Sequence, residues 1–118
     1  MPIREDLQRV YDAYATAYRM KDAAGCAAVF TEDGEVISPY APPARGRAAV
    51  EALHREWTSL GGEDKKLWVM DAGGSGDLAL CLTAFSDAHD SGTSLNVFQR
   101  QANDKWLIRV CSLNENKT

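Results

Sequence analysis

With 118 residues, 45% hydrophobic and 25% charged, the chain has the size and composition of one folded domain over residues 1–118, not of a disordered segment. Its 17 acids and 13 Lys and Arg leave a formal net charge of −4 with no basic cluster, which argues against a nucleic-acid partner. No apolar run approaches the roughly 18 residues that would span a membrane. The segment Met1-Pro2-Ile3-Arg4-Glu5-Asp6 is charged where a secretory leader would be apolar, so a cytoplasmic protein is expected. Cys26, Cys81 and Cys111 show no CxxC spacing and read as reduced, small core residues. Asn116-Lys117-Thr118 matches a glycosylation sequon, which has no role without secretion.

Leu7, Val10, Tyr11, Tyr14, Ala17 and Tyr18 recur at i, i+3, i+4, i+7, and the spacing predicts an amphipathic helix over residues 3–20. Asp22 is placed to cap a second, short helix running through Phe30. Thr31-Glu32-Asp33-Gly34 reads as a turn, Glu35–Ser38 as a short strand, and Pro39, Pro42 and Pro43 as an extended loop. After Gly46 a third helix is expected over 47–60, with Val50, Leu53, His54, Trp57 and Leu60 on one stripe, ended by Gly61-Gly62.

The second half changes period. Lys66–Met70, Leu78–Ser86, Thr93–Gln101 and Lys105–Leu113 read as strands broken by Gly73-Gly74-Ser75-Gly76, His89-Asp90-Ser91-Gly92 and Asn103-Asp104. Helices followed by an antiparallel meander predict an α+β layer arrangement. A two-residue turn at Asn103-Asp104 would pair Ala102 with Lys105. One face of the last hairpin then carries Asn96, Phe98, Arg100, Leu107, Arg109 and Cys111; the other carries Leu95, Val97, Trp106, Ile108 and Val110. Counting leaves open whether Leu80, Leu82 and Ala84, or Cys81, Thr83 and Phe85, share the Asn96 face.

Two stretches resemble a known family. Tyr14 to Trp57, YATAYRMKDAAGCAAVFTEDGEVISPYAPPARGRAAVEALHREW, presents in order a helix, a short helix ending in an aromatic, an acidic turn, a strand, a proline loop, Gly-Arg and a third helix. Residues 91–114, SGTSLNVFQRQANDKWLIRVCSLN, present a final hairpin with Trp opening an apolar strand. This series resembles the nuclear transport factor two-like superfamily, in its SnoaL-like and ketosteroid-isomerase-like branch. The resemblance implies a cone-shaped fold of three N-terminal helices packed on a curved, mostly antiparallel sheet, surrounding a pocket. Ketosteroid-isomerase-like members place a Tyr on the first helix and an acid on a late strand as an oxyanion hole, with an Asp before a Pro as base. Tyr14 falls at the first position, Asn96 at the second and Ser38, before Pro39, at the third. Serine is no base near neutral pH, so ketosteroid isomerisation is not expected.

Each candidate residue has two readings. Tyr14 donates to a ligand oxygen or is a core tyrosine of the Tyr11/Tyr14/Tyr18 stripe. Asn96, an amide in a strand, lines a pocket or makes a structural side-chain bond. His54 is a general base or an ordinary histidine of the helix boundary. With Tyr14, Asn96 and His54 as catalytic candidates, Tyr18, Ser38, Trp57, Phe98 and Arg109 are the ligand-binding candidates. Arg109 anchors an anion or pairs with an internal acid such as Asp71. No cofactor is implied, and two histidines without HxH or HExxH spacing imply no metal. The expected partner is a small apolar or anionic organic ligand, treated by acid–base chemistry on a carbonyl compound. The alternative is a non-catalytic dimerisation or ligand-sensing domain. The stripe Leu95, Val97, Trp106, Ile108 and Val110 predicts a homodimer through the outer sheet face.

Overall fold

The computed structural model describes residues 3–116; the last two positions of the sequon lie outside the described residues. Helix α1 spans Ile3–Arg19 and buries Leu7, Tyr11, Ala15, Ala17 and Tyr18, as the stripe requires. Helix α2, Ala23–Ala28, is capped by Asp22, whose Oδ1 accepts from the Gly25 amide at 2.9 Å. It ends before Phe30, which the sequence pattern assigned to the helix. Phe30 instead opens a strand whose partner is far along the chain, a pairing no local spacing reveals. Helix α3, Arg47–Ser59, starts after Gly46 at φ 89°, and Gly61 and Gly62 at positive φ turn the chain away from its end. Among the described residues no helix is long and apolar enough to cross a membrane.

The strands are β1 Phe30–Ile37, β2 Ala44–Arg45, β3 Lys66–Ser75, β4 Leu78–Ser86, β5 Ser91–Arg100 and β6 Trp106–Glu115. They form one sheet in the order β2-β1-β6-β5-β4-β3, antiparallel throughout except for the parallel β1–β6 pair. The fold is therefore α+β, with the N-terminal helices packed on a curved, mostly antiparallel sheet. Leu7, Tyr11, Phe30, Val36, Val50, Val69, Phe98 and Ile108 form the core between the layers. The sheet settles the open register: Cys81 faces Asn96, Thr83 faces Ser94 and Phe85 faces Gly92, so these side chains share the inner face.

Three turns differ from expectation. Strand β3 runs on through Gly73-Gly74-Ser75 to a tight Gly76-Asp77 turn, where Gly76 takes φ 61°. The break before β5 is Asp87–Asp90, closed by the Asp87 amide donating to Asp90 O at 2.8 Å. The segment Thr31–Gly34 is no free turn. It is the wide part of β1, where Phe30 pairs with Ile108, Glu35 pairs with Val110, and Arg109 alone lies opposite Thr31–Gly34.

The last hairpin corrects the predicted faces. Gln101 N donates to Lys105 O at 2.8 Å, so the loop is Ala102-Asn103-Asp104, with Asp104 at φ 65°. This three-residue loop shifts Arg100 opposite Trp106 and Phe98 opposite Ile108. The bulge at Arg109 then restores the counted register, pairing Val97 with Val110 and Asn96 with Cys111. Trp106 and Ile108 are consequently inward and packed on the core, whereas Leu107 and Arg109 leave the face assigned to them. Leu95, Val97 and Val110 remain on the outer face, joined by Leu80 and Leu82 of β4.

Candidate functional site

A cavity of about 230 Å³ lies between α1, α3 and the inner sheet face. Tyr14 and Tyr18 of α1, His54 and Trp57 of α3, and Ser94 and Asn96 of β5 line it. Phe85, Ile108 and Cys111 continue the apolar wall, and the exposed residues Tyr40, Glu56, Leu60 and Asp90 mark its mouth. Four of the candidate residues read from α1 and α3, together with Asn96, thus meet in one space. They do so because Tyr14 and Tyr18, and His54 and Trp57, each lie about one helical turn apart on a buried stripe.

The polar centre of the cavity is a pair. Tyr14 Oη lies 2.7 Å from His54 Nε2, and His54 Nδ1 lies 2.8 Å from Val50 O. A carbonyl only accepts, so Nδ1 carries the proton and donates to Val50, and Nε2 accepts from the Tyr14 hydroxyl. His54 is buried at 1% exposure, and burial pushes its pKa from 6.5 down to about 4 against the opposing bond to Val50 O. The imidazole is neutral at neutral pH. Burial likewise raises the Tyr14 phenol well above its ordinary value, with a smaller contribution from Cys26. Trp57 and Tyr14 stack edge-on against the imidazole with ring centres 5.2 and 5.3 Å away.

Asn96 is wholly buried. Its Nδ2 donates to Ser94 Oγ at 2.9 Å and more loosely to Thr83 Oγ1 at 3.4 Å, while Oδ1 has no protein partner. Rotating the amide would pair the oxygen with the hydroxyls and orphan the nitrogen instead, so one polar atom is unmatched in either orientation. Tyr11 Oη, also at the cavity wall, is a second buried atom without a hydrogen bond of proper geometry. Such atoms cost about 1–3 kcal/mol each when left unpaired, and both belong to residues of the cavity wall.

Lys65 and Asp87 were not picked out from the sequence. The Lys65 Nζ lies 4.6 Å from the Tyr18 ring centre, 4.7 Å from that of Phe85, and 3.6 Å from Asp87 Oδ2. Asp87 Oδ1 is occupied by the amides of His89 and Asp90 at 2.8 and 2.9 Å. Lys65 falls just before the strand read from Lys66, but it shares parity with the inward Leu67 and Val69, and that period of two is the available signal. Gly62, at φ 93°, lies flat against the Tyr18 ring and leaves no room for a Cβ.

Three sequence candidates stand elsewhere. Phe98 is a core residue, edge-on to Tyr11 at 5.5 Å. Ser38 follows β1 in the proline loop, and its Oγ accepts from the Tyr40 amide at 3.3 Å. Arg109, bulged out of β6, meets Asp33 Oδ2 at 3.2 Å and Glu35 Oε1 at 3.4 Å, and its side chain is 32% exposed. Its partners are thus the acids of β1, because the bulge turns it away from the cavity; Asp71 is an exposed residue of β3. Among the described residues no group of three or more His, Cys, Asp or Glu is arranged to hold a metal ion.

Comparison with known proteins agrees with this architecture. The family model of the SnoaL-like domain matches residues 1–73. A ketosteroid isomerase-like protein from Erwinia carotovora atroseptica superposes with TM-score 0.85 at 18% identity, over 99% of this chain and 98% of that one. A domain with a cystatin-like fold from Nostoc punctiforme gives TM-score 0.82 at 18% identity, over 100% and 80% of the two chains. ActVI-ORFA from Streptomyces coelicolor gives 0.69 at 22% identity, over 98% of each. At these identities the likeness is one of fold. No curated protein gives a significant match.

Proposed function

We propose, from the premise that this chain belongs to the SnoaL-like domain family, that its cavity binds a small, largely apolar organic molecule bearing a carbonyl or hydroxyl group. The observation that carries this reading is the Tyr14–His54 pair facing an unmatched Asn96 amide across an aromatic-walled space. A ligand hydroxyl set between them donates to Tyr14 Oη, whose own proton is committed to His54, and accepts from Asn96 Nδ2 in the rotated amide; a ligand carbonyl accepts from that Nδ2 alone. Acid–base chemistry follows from the same pair. A ligand proton passing to Tyr14 Oη, as the Tyr14 proton passes to His54 Nε2, is a relay that needs no further group. With a conjugate acid of pKa about 4, His54 holds that proton only briefly, so the relay suits a ligand that takes it back at a second atom. Ketosteroid isomerisation is not expected: the resemblance puts Ser38 at the position of the base, and Ser38 is not among the residues that line the cavity.

The test is a nitrogen–proton NMR titration with cyclic ketones and hydroxylated aromatics. Binding in the cavity should move the Asn96 side-chain amide and the Trp57 indole together, and Asn96→Ala should weaken it by about 1–2 kcal/mol. A panel that leaves both signals still, or turnover of a Δ5-ketosteroid that is lost in Ser38→Ala, overturns the reading.

A second reading rests on a separate observation. Leu80, Leu82 and Leu95 stand 38–58% exposed on the outer sheet face, beside Val97 and Val110. We propose that this face joins two copies about a two-fold axis, and that the domain works as a homodimer whether or not its cavity is catalytic.

A further inference from the structure

We propose that Lys65 is a covalent anchor in the cavity, its amine forming an imine with a small aromatic aldehyde or ketone. The inference rests on the pocket reading above and adds to it a bond. Among the described residues Lys65 is the only buried lysine, its side chain 11% exposed; Lys21, Lys66 and Lys105 stand in solvent. Its amine is enclosed by the Tyr18 and Phe85 rings within the cavity wall. Its nearest carboxylate, Asp87, forms a loose ion pair with it at 3.6 Å and has its other oxygen committed to two backbone amides. Burial lowers the Lys65 pKa, and the attractions of Asp87 and then Asp90 offset only part of this. The neutral amine, which is the nucleophile, is thereby more accessible than on a surface lysine.

The ligand class follows from the walls. A dry cavity of about 150 Å³ accommodates benzene, so about 230 Å³ suits a substituted single ring. Tyr14, Tyr18, Trp57 and Phe85 offer such a ring faces and edges to stack on. In the reaction the Nζ lone pair attacks the carbonyl carbon, and the C=O π pair moves to oxygen. Nitrogen loses a proton and oxygen gains one, giving a carbinolamine. A second proton on that oxygen releases it as water, and the nitrogen lone pair forms the C=N bond of the protonated imine. No oxidation or reduction occurs. Asp87 Oδ2 is the nearest carboxylate to carry those protons.

The experiment uses the full chain with benzaldehyde and sodium cyanoborohydride, which reduces the imine to a stable amine, followed by intact mass and peptide mapping. One adduct per chain on Lys65 is expected, suppressed by excess benzyl alcohol and lost in Lys65→Arg, which keeps the charge. Mapping in the wild-type chain reads the site even where the variant fails to fold. In parallel, benzyl alcohol is titrated against the Asn96 and Trp57 signals. If it moves them but benzaldehyde labels only Lys21, Lys66 or Lys105, the anchor is wrong and the pocket stands. If it moves neither and Lys65 stays unlabelled, both fall.

Discussion

His54 is the residue whose environment most constrains behaviour in solution. Its folded pKa of about 4 lies below the ordinary 6.5, so between these values the unfolded chain binds a proton that the folded chain refuses. Stability should be full above pH 6.5, fall by roughly 3 kcal/mol as pH drops toward 4, and lose nothing further from this group below that. Urea unfolding at stepped pH measures the slope, and His54→Gln should flatten it; an unchanged slope would show that the ring already protonates freely. Arg109 makes the opposite case. Its pairs with the solvent-exposed Asp33 and with Glu35 are screened by water, so Arg109→Ala should lower the melting temperature slightly and leave ligand binding unchanged. A complete loss of binding would return it to the site. At this scale the sequence was readable where a residue sat on a helical stripe, as Tyr14, His54 and Trp57 do. It was misleading at Arg109, because a bulge displaces one residue without changing local composition.

Among elements, α1 does more than cover the core. Strand β3 ends the sheet, and an end strand leaves half its backbone groups unpaired. Gln8 satisfies the Val69 amide and Leu67 carbonyl, Arg4 donates to Val69 O at 2.8 Å, and Arg19 donates to Lys65 O at 2.8 Å. The polar side of the helix stands in for a neighbouring strand. Gln8→Ala should therefore cost about 1 kcal/mol and accelerate hydrogen exchange at the Val69 amide ahead of the rest of β3. Uniform exchange along β3 would contradict this role. Helix starts and strand bodies were legible because caps, stripes and alternation are local signals, as at Asp22 and Leu78–Ser86. The parallel pairing of β1 with β6, the two-residue β2 and the extension of β3 through Gly73-Gly74-Ser75 depend on partners distant in the chain, so no local pattern marks them.

For the molecule as a whole, the outer sheet face is where the proposed assembly is tested. Rows formed by Leu82 with Leu95 and by Leu80 with Val97 and Val110 run across three strands, with Trp68 nearby and exposed. Light scattering at micromolar concentration should report about twice the 12.9 kDa chain mass, and Leu95→Glu or Val97→Glu should return it to one chain. A single-chain mass for the wild type would end the dimer reading. The stripe predicted from sequence held three of its five members; Trp106 and Ile108 turned inward with the hairpin loop.

That loop and the bulge behind it have a practical consequence. The extra residue at the tip shifts the hairpin by one position, and Arg109 shifts it back before Asn96 and Cys111 are reached. The tip is thus out of phase with the site-bearing part of the same strands, and the bulge acts as a joint between them. Ala102, exposed at the far end of that joint beside the Asn103 side chain that holds the Lys105 amide, is a grafting point at which an epitope or fluorophore can be carried without transmitting a change of register to the cavity.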